Sequence, residues 1–161
     1  MALTRRMFSA PTRNALLTFH IAVSVGLLGD SAGFLAVAIR AAATDEPLAV
    51  LELTRVLNMF AMVFGIPLSF AALLSGIALG WGTKWGVFRY PWVVTKLALI
   101  VTVILAGATL IGPALTTMLA GGGDRTPQLI VAGAYDVIAL AIATMLSVFK
   151  PGRRFGSPTT Q

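Results

Sequence analysis

Four ionisable side chains, His20, Asp30, Lys96 and Asp136, fall inside long apolar stretches of this 161-residue sequence. A charged group in hydrocarbon is costly unless paired, hydrated or neutralised, so these four positions are where chemistry is expected. Two carboxyls facing one interior can share a proton, hold a cation or border a wet cavity, because desolvation and mutual repulsion oppose ionising both. Depth sorts the four. Counting ~1.5 Å per residue from cytoplasmic boundaries near Leu16, Val93 and Val148 puts His20 ~6 Å in, Lys96 ~5 Å, Asp30 ~21 Å and Asp136 ~18 Å. The acids are level with one another; Arg55, the nearest base, is ~34 Å in and out of reach by the same count. Thr102, Thr109 and Ser69 lie at comparable depths and are candidate hydrogen-bond donors to the pair. Three readings of the acids follow: packing through a bond to a backbone or hydroxyl group, a proton or cation site, and an outer salt-bridge network with Arg55 or Arg125.

His20 is the only histidine, and Ser24 shares its helix face. Near a boundary a lone histidine serves as an interfacial or hydrogen-bonded residue. Its sharper use is as a ligand: haem b needs a second axial donor, which a homodimer or Met145 on the fourth stretch would supply, and copper held by His and Met is the related case. No cofactor is expected otherwise. Lys96 can reach the headgroups along its stem and reads as an anchor rather than a catalytic amine.

Apolar spans position these residues. Hydrophobic residues make up 57% of the chain and charged ones 11%, with a mean hydropathy of +0.88, whereas soluble domains carry about 25% charged residues. The expected fold is all-α: a transmembrane four-helix bundle over 15–149, with spans at about 15–39, 57–79, 92–119 and 129–149. A basic segment 1–14 precedes it and a basic tail 150–161, expected to be unstructured, follows. Arg5, Arg6, Arg13, Lys84, Arg89, Lys150, Arg153 and Arg154 all fall on one side, so the positive-inside rule makes both termini cytoplasmic. Trp81, Trp85, Tyr90 and Trp92 cluster at the cytoplasmic loop as interfacial anchors. The scattered arginines suit anionic lipid headgroups, and no nucleic-acid surface is expected. Thr44, Asp45, Glu46 and Pro47 have the order of an N-cap, acidic first turn and early proline, so the second helix is expected to begin before its apolar stretch. Gly121 to Asp124 form the other outer turn.

Helices in lipid associate through small residues and a few hydrogen bonds. In the second span Arg55, Asn58, Met62, Gly65, Ser69, Ala72 and Gly76 recur at alternating spacings of three and four, the seam of a left-handed bundle. Gly26, Gly29 and Gly33 offer small surfaces on the first span, and Gly133, Ala139 and Ala143 do so on the fourth. The stripes are expected to pack within the chain, a homo-oligomer or membrane protein partner being the alternative. Pro67 and Pro113 should bend their helices.

The absence of cysteine excludes disulfides and thiolate metal sites. No nucleophile motif, metalloprotease helix, phosphate loop or dinucleotide fingerprint is present, so no enzyme is expected. The runs LLTFHIAVSVGLLGDSAGFLAVAI, GIPLSFAALLSGIALGWGTKWGVFRYPWVVTKLAL and SVFKPGRR resemble a group of four-span integral membrane proteins common in actinobacteria, a domain of unknown function distantly like the copper-resistance D membrane domain. The most specific stretch holds Gly82, Thr83, Trp85, Gly86, Arg89, Trp92, Lys96 and Leu97. His20 matches the histidine such proteins tend to carry in their first helix. A further histidine often lies late in their third helix, where this chain reads AGATLIGPAL. The resemblance implies a multi-pass protein of the bacterial plasma membrane. The expected role is a structural or accessory subunit; the alternatives are a proton- or cation-coupled transport component and a haem or copper protein.

Overall fold

The structure is a computed structural model that describes residues 8–82 and 90–149. Trp85, Lys84, Arg89 and the basic tail lie outside the described residues. Four helices long and apolar enough to cross a membrane fill the rest: α1 (Ala10–Ala42), α2 (Pro47–Gly82), α3 (Pro91–Leu119) and α4 (Thr126–Phe149). Most of each apolar window faces outward rather than into the bundle, as a chain with lipid for its solvent requires.

The helix ends follow from local chemistry. Ser9 accepts the Thr12 N–H at 3.4 Å and Pro11 occupies the first turn of α1, which therefore starts five residues before its apolar run. Pro47 opens α2 as expected, but Thr44 does not cap it. Its hydroxyl donates instead to the Arg40 carbonyl at 2.8 Å and closes α1. Asp124 Oδ1 accepts the Thr126 N–H at 2.8 Å and caps α4. The turn before it uses Gly121 and Gly123 at φ of 75° and 91°, where a Cβ would be strained.

Each helix packs on two others: α1 on α2 and α4, α3 on α2 and α4. The α1/α2 interface runs antiparallel. Phe8 lies over Gly82 at one end; His20 meets Gly76, Gly26 meets Leu68, Asp30 meets Gly65, and Gly33 meets Phe60 toward the other. Gly133 of α4 rests on Phe34 and Leu35 of α1. Two apolar clusters fill the interior. Val23, Leu27, Ala72, Val103, Ala139 and Leu140 form one; Phe34, Leu57, Leu115 and Leu129, with smaller neighbours, anchor the other.

Pro67 and Pro113 each follow a π turn, at Phe60–Gly65 and Gly107–Ile111. A proline has no N–H to donate and its ring clashes with the carbonyl four residues back, and widening the preceding turn relieves both. The π turn in α2 corrects the expected seam. Thr54 and Leu57 are buried, while Arg55 and Met62 point outward, Arg55 pairing with Glu52 at 2.6 Å on the surface. From Gly65 onward the expected residues hold: Ser69 and Ala72 are buried and Gly76 is half-buried. One extra residue in the turn rotates everything N-terminal to it by about 100°.

The glycines of α1 divide. A Cβ at Gly33 would stand 2.9 Å from the Phe60 ring and one at Gly26 3.7 Å from Leu68, but Gly29 has nothing within 4 Å and takes no part in packing. Gly33→Val is therefore expected to cost about 1–3 kcal/mol by overpacking, and Gly29→Val to stay within about 0.5 kcal/mol of the native protein. Reversible unfolding in mixed micelles reads both.

Candidate functional site

Asp30 and Asp136 stand on α1 and α4, which pack against each other. The antiparallel packing of α1 and α4 brings them near enough for the charge of Asp30 to act on Asp136. Along every helix they fall between the two apolar clusters: Asp30 separates Leu27 from Phe34, and Asp136 separates Ala139 from Ala132. Asp136 is only 7% exposed. Gly65, which ends the π turn of α2, makes room for the other acid: a Cβ there would lie 3.4 Å from Asp30 Oδ2.

Neither carboxyl is satisfied. The Oδ1 atoms of Asp30 and Asp136 are the buried side-chain oxygens without a hydrogen-bond partner among the described residues. The hydroxyls expected to serve them are committed elsewhere. Thr102 donates to the Leu99 carbonyl at 2.8 Å and accepts from Tyr135 at 2.5 Å; Thr109 donates to the Leu105 carbonyl at 2.7 Å; Ser69 donates to the Ile66 carbonyl at 2.9 Å. Thr102 and Thr109 are moreover on the outside of α3. The physical reason is general: a hydroxyl in a membrane helix finds the carbonyl three or four residues back closer than any tertiary acceptor. Arg55 pairs with Glu52 at the surface, so that the salt bridge it forms is one within its own helix.

His20 is half-buried at the other end of the α1/α2 interface. Its Nδ1 lies 2.7 Å from the Ser75 hydroxyl, and Ser75 itself lies 2.6 Å from the Ala71 carbonyl. The ring donates to Ser75 in the Nδ1–H tautomer, in which the hydroxyl donates its own proton to Ala71, and accepts from it in the Nε2–H tautomer. Gly76 lets the imidazole lie flat on α2, a Cβ there standing 3.3 Å from Cε1. Lys96 of α3 is close enough for its charge to act on the ring, and its ammonium also sits 5.8 Å from the centre of the Trp92 ring. Met145 is 57% exposed on α4, and the hydrogen bond that orients His20 comes from α2. Among the described residues no three His, Asp or Glu side chains gather as a metal site. Trp81 is 65% exposed at the end of α2, in keeping with an interfacial position.

Two features were not foreseen in the sequence. The Tyr135 hydroxyl ties α4 to Thr102 of α3, and Gln128 donates from α4 to the Leu110 carbonyl of the second π turn at 3.0 Å. A glutamine in the first turn of an apolar helix, opposite a proline-containing segment, is the signal that could have found the latter. The chain matches no protein family, no curated protein and no solved structure, so its own geometry carries the functional reading.

Proposed function

We propose that this membrane-spanning bundle is a proton-binding protein in which Asp30 and Asp136 hold a proton between them, serving proton-coupled movement across the bilayer. The observation that carries this reading is the pair of buried, unpartnered carboxyl oxygens on neighbouring helices. Acids that only fixed the packing would be bonded to a backbone or hydroxyl group, and none of the nearby hydroxyls serves them. A shared proton gives each carboxyl a partner and removes one of two adjacent negative charges. A metal cation would instead need several oxygen ligands beyond two carboxyls. The chain in this reading has no enzymatic activity, sits in a bacterial plasma membrane with both termini in the cytoplasm, and is kin to the actinobacterial four-span group its residues resemble.

Proteoliposomes under an imposed pH gradient test it. Asp30→Asn and Asp136→Asn are each expected to lower proton flux about a hundredfold or more, the loss typical of removing a proton-transfer group. Native flux from both assembled variants would contradict the reading.

A further inference from the structure

At one end of the bundle two bases cap the same apolar cluster. His20, Val23 and Leu27 follow one another at spacings of three and four on α1, and Lys96, Leu99 and Val103 do the same on α3. Val23, Leu27 and Val103 are buried in one cluster and Leu99 packs against it, so both bases stand on interior faces, one turn nearer the bundle end. Each is half-buried, and Lys96 is near enough for its charge to act on the ring. The chain has no acid to balance them there. Of its six acids, Asp30 lies ten residues beyond His20, about 15 Å along α1, and Asp136 is the neighbour of Asp30 on α4. Asp45, Glu46, Glu52 and Asp124 belong to the opposite end. The Trp92 ring, 5.8 Å from the Lys96 ammonium, offers an electron-rich face but no counter-charge.

We propose that His20 and Lys96 form a binding site for a phosphate group, carried by an anionic lipid headgroup or free in solution. The site is independent of the proton-binding reading. His20 Nδ1 is taken by the Ser75 hydroxyl at 2.7 Å, and Nε2 makes no hydrogen bond among the described residues. Nε2–H donates to one phosphate oxygen and the Lys96 ammonium to another, so that α1 and α3 each supply one charge-assisted bond. Ser75 is a positioning residue that holds the ring through Nδ1, and Gly76 leaves room for it on α2, a Cβ there standing 3.3 Å from Cε1. The bound anion supplies the charge that the chain lacks at this end. Basic pockets between membrane helices hold anionic headgroups in this way, whereas the Lys96 ammonium repels a metal cation from His20.

Native mass spectrometry of the full chain, released from micelles holding equal phosphatidylglycerol and phosphatidylcholine, with and without inorganic phosphate, tests the site. The protein is expected to retain phosphatidylglycerol over phosphatidylcholine if the occupant is a headgroup, and to exchange it for phosphate if the occupant is free. Lys96→Gln and His20→Gln, the latter still able to reach Ser75, are each expected to lower that occupancy about tenfold, the share of one charge-assisted bond. Lys96→Arg keeps the charge and is expected to keep the occupant, which separates loss of the charge from loss of the fold. Arg13→Gln removes the same charge from the exposed start of α1, where solvent screens it, and should change occupancy less than about twofold. A loss in Arg13→Gln as large as that in Lys96→Gln would mean diffuse attraction to a basic end and would overturn the site. So would a native protein that prefers neither lipid and binds no phosphate.

Discussion

Asp136→Leu is expected to abolish proton flux and to weaken the bundle. Leucine repeats the branching of aspartate with methyl groups in place of oxygens, which adds volume between Ala132 and Ala139. It also takes away the group with which Asp30 shares a proton, and leaves the buried Asp30 Oδ1 without a partner. An unsatisfied buried polar group costs about 1–3 kcal/mol, and that is the loss expected in mixed-micelle unfolding. Asp136→Leu with Asp30→Leu removes both acids and is expected to recover most of that loss while flux stays absent, because replacing both partners leaves nothing unsatisfied. A double variant less stable than either single one would show that the two carboxyls are not coupled.

The second large effect concerns chain register. Deleting Val63, on the outer side of the π turn, together with Pro67→Ala should convert Phe60–Gly65 to ordinary helix. Thr54 and Leu57 would stay on one side of the turn and Ser69 and Ala72 on the other, each still facing the core. Stability is expected to fall by about 1 kcal/mol or less, in the range of an ordinary surface change. Deleting Leu73, where no extra residue is stored, rotates the rest of α2 by about 100°. It should turn either Ala72 and Ser69 or Ser75 and Gly76 out of the interface and abolish folded protein in membranes. Heat-resistant fluorescence of a fused reporter separates the two. Equal failure of both deletions would mean that the π turn is not a stored insertion.

Much of this was legible in the residues. Span count follows from apolar length, and the level of the two acids follows from the rise per residue, while the packing of α1 on α4 had no local signature. The seam of α2 was legible from Gly65 to Gly76 and lost before it, because periodicity assumes an unbroken helix and the π turn inserts one residue. Pro67 announced a distortion without giving its kind. The hydroxyls misled for a different reason: depth and donor chemistry matched Thr102, Thr109 and Ser69 to the acids, but their own helix carbonyls were nearer. The tie between His20 and Ser75 joins residues 55 apart and had no local signature. The glycines showed where close approach was available without showing which were used, as Gly29 and Gly33 illustrate.

Infrared spectra of the protein in lipid, native and with Asp30→Asn or Asp136→Asn, bear most directly on whether the two carboxyls act as one site. A proton held between them predicts a single buried carboxylic-acid band that either substitution shifts or removes. Two bands, each answering to one substitution and indifferent to the other, would mean separate acids and no shared proton.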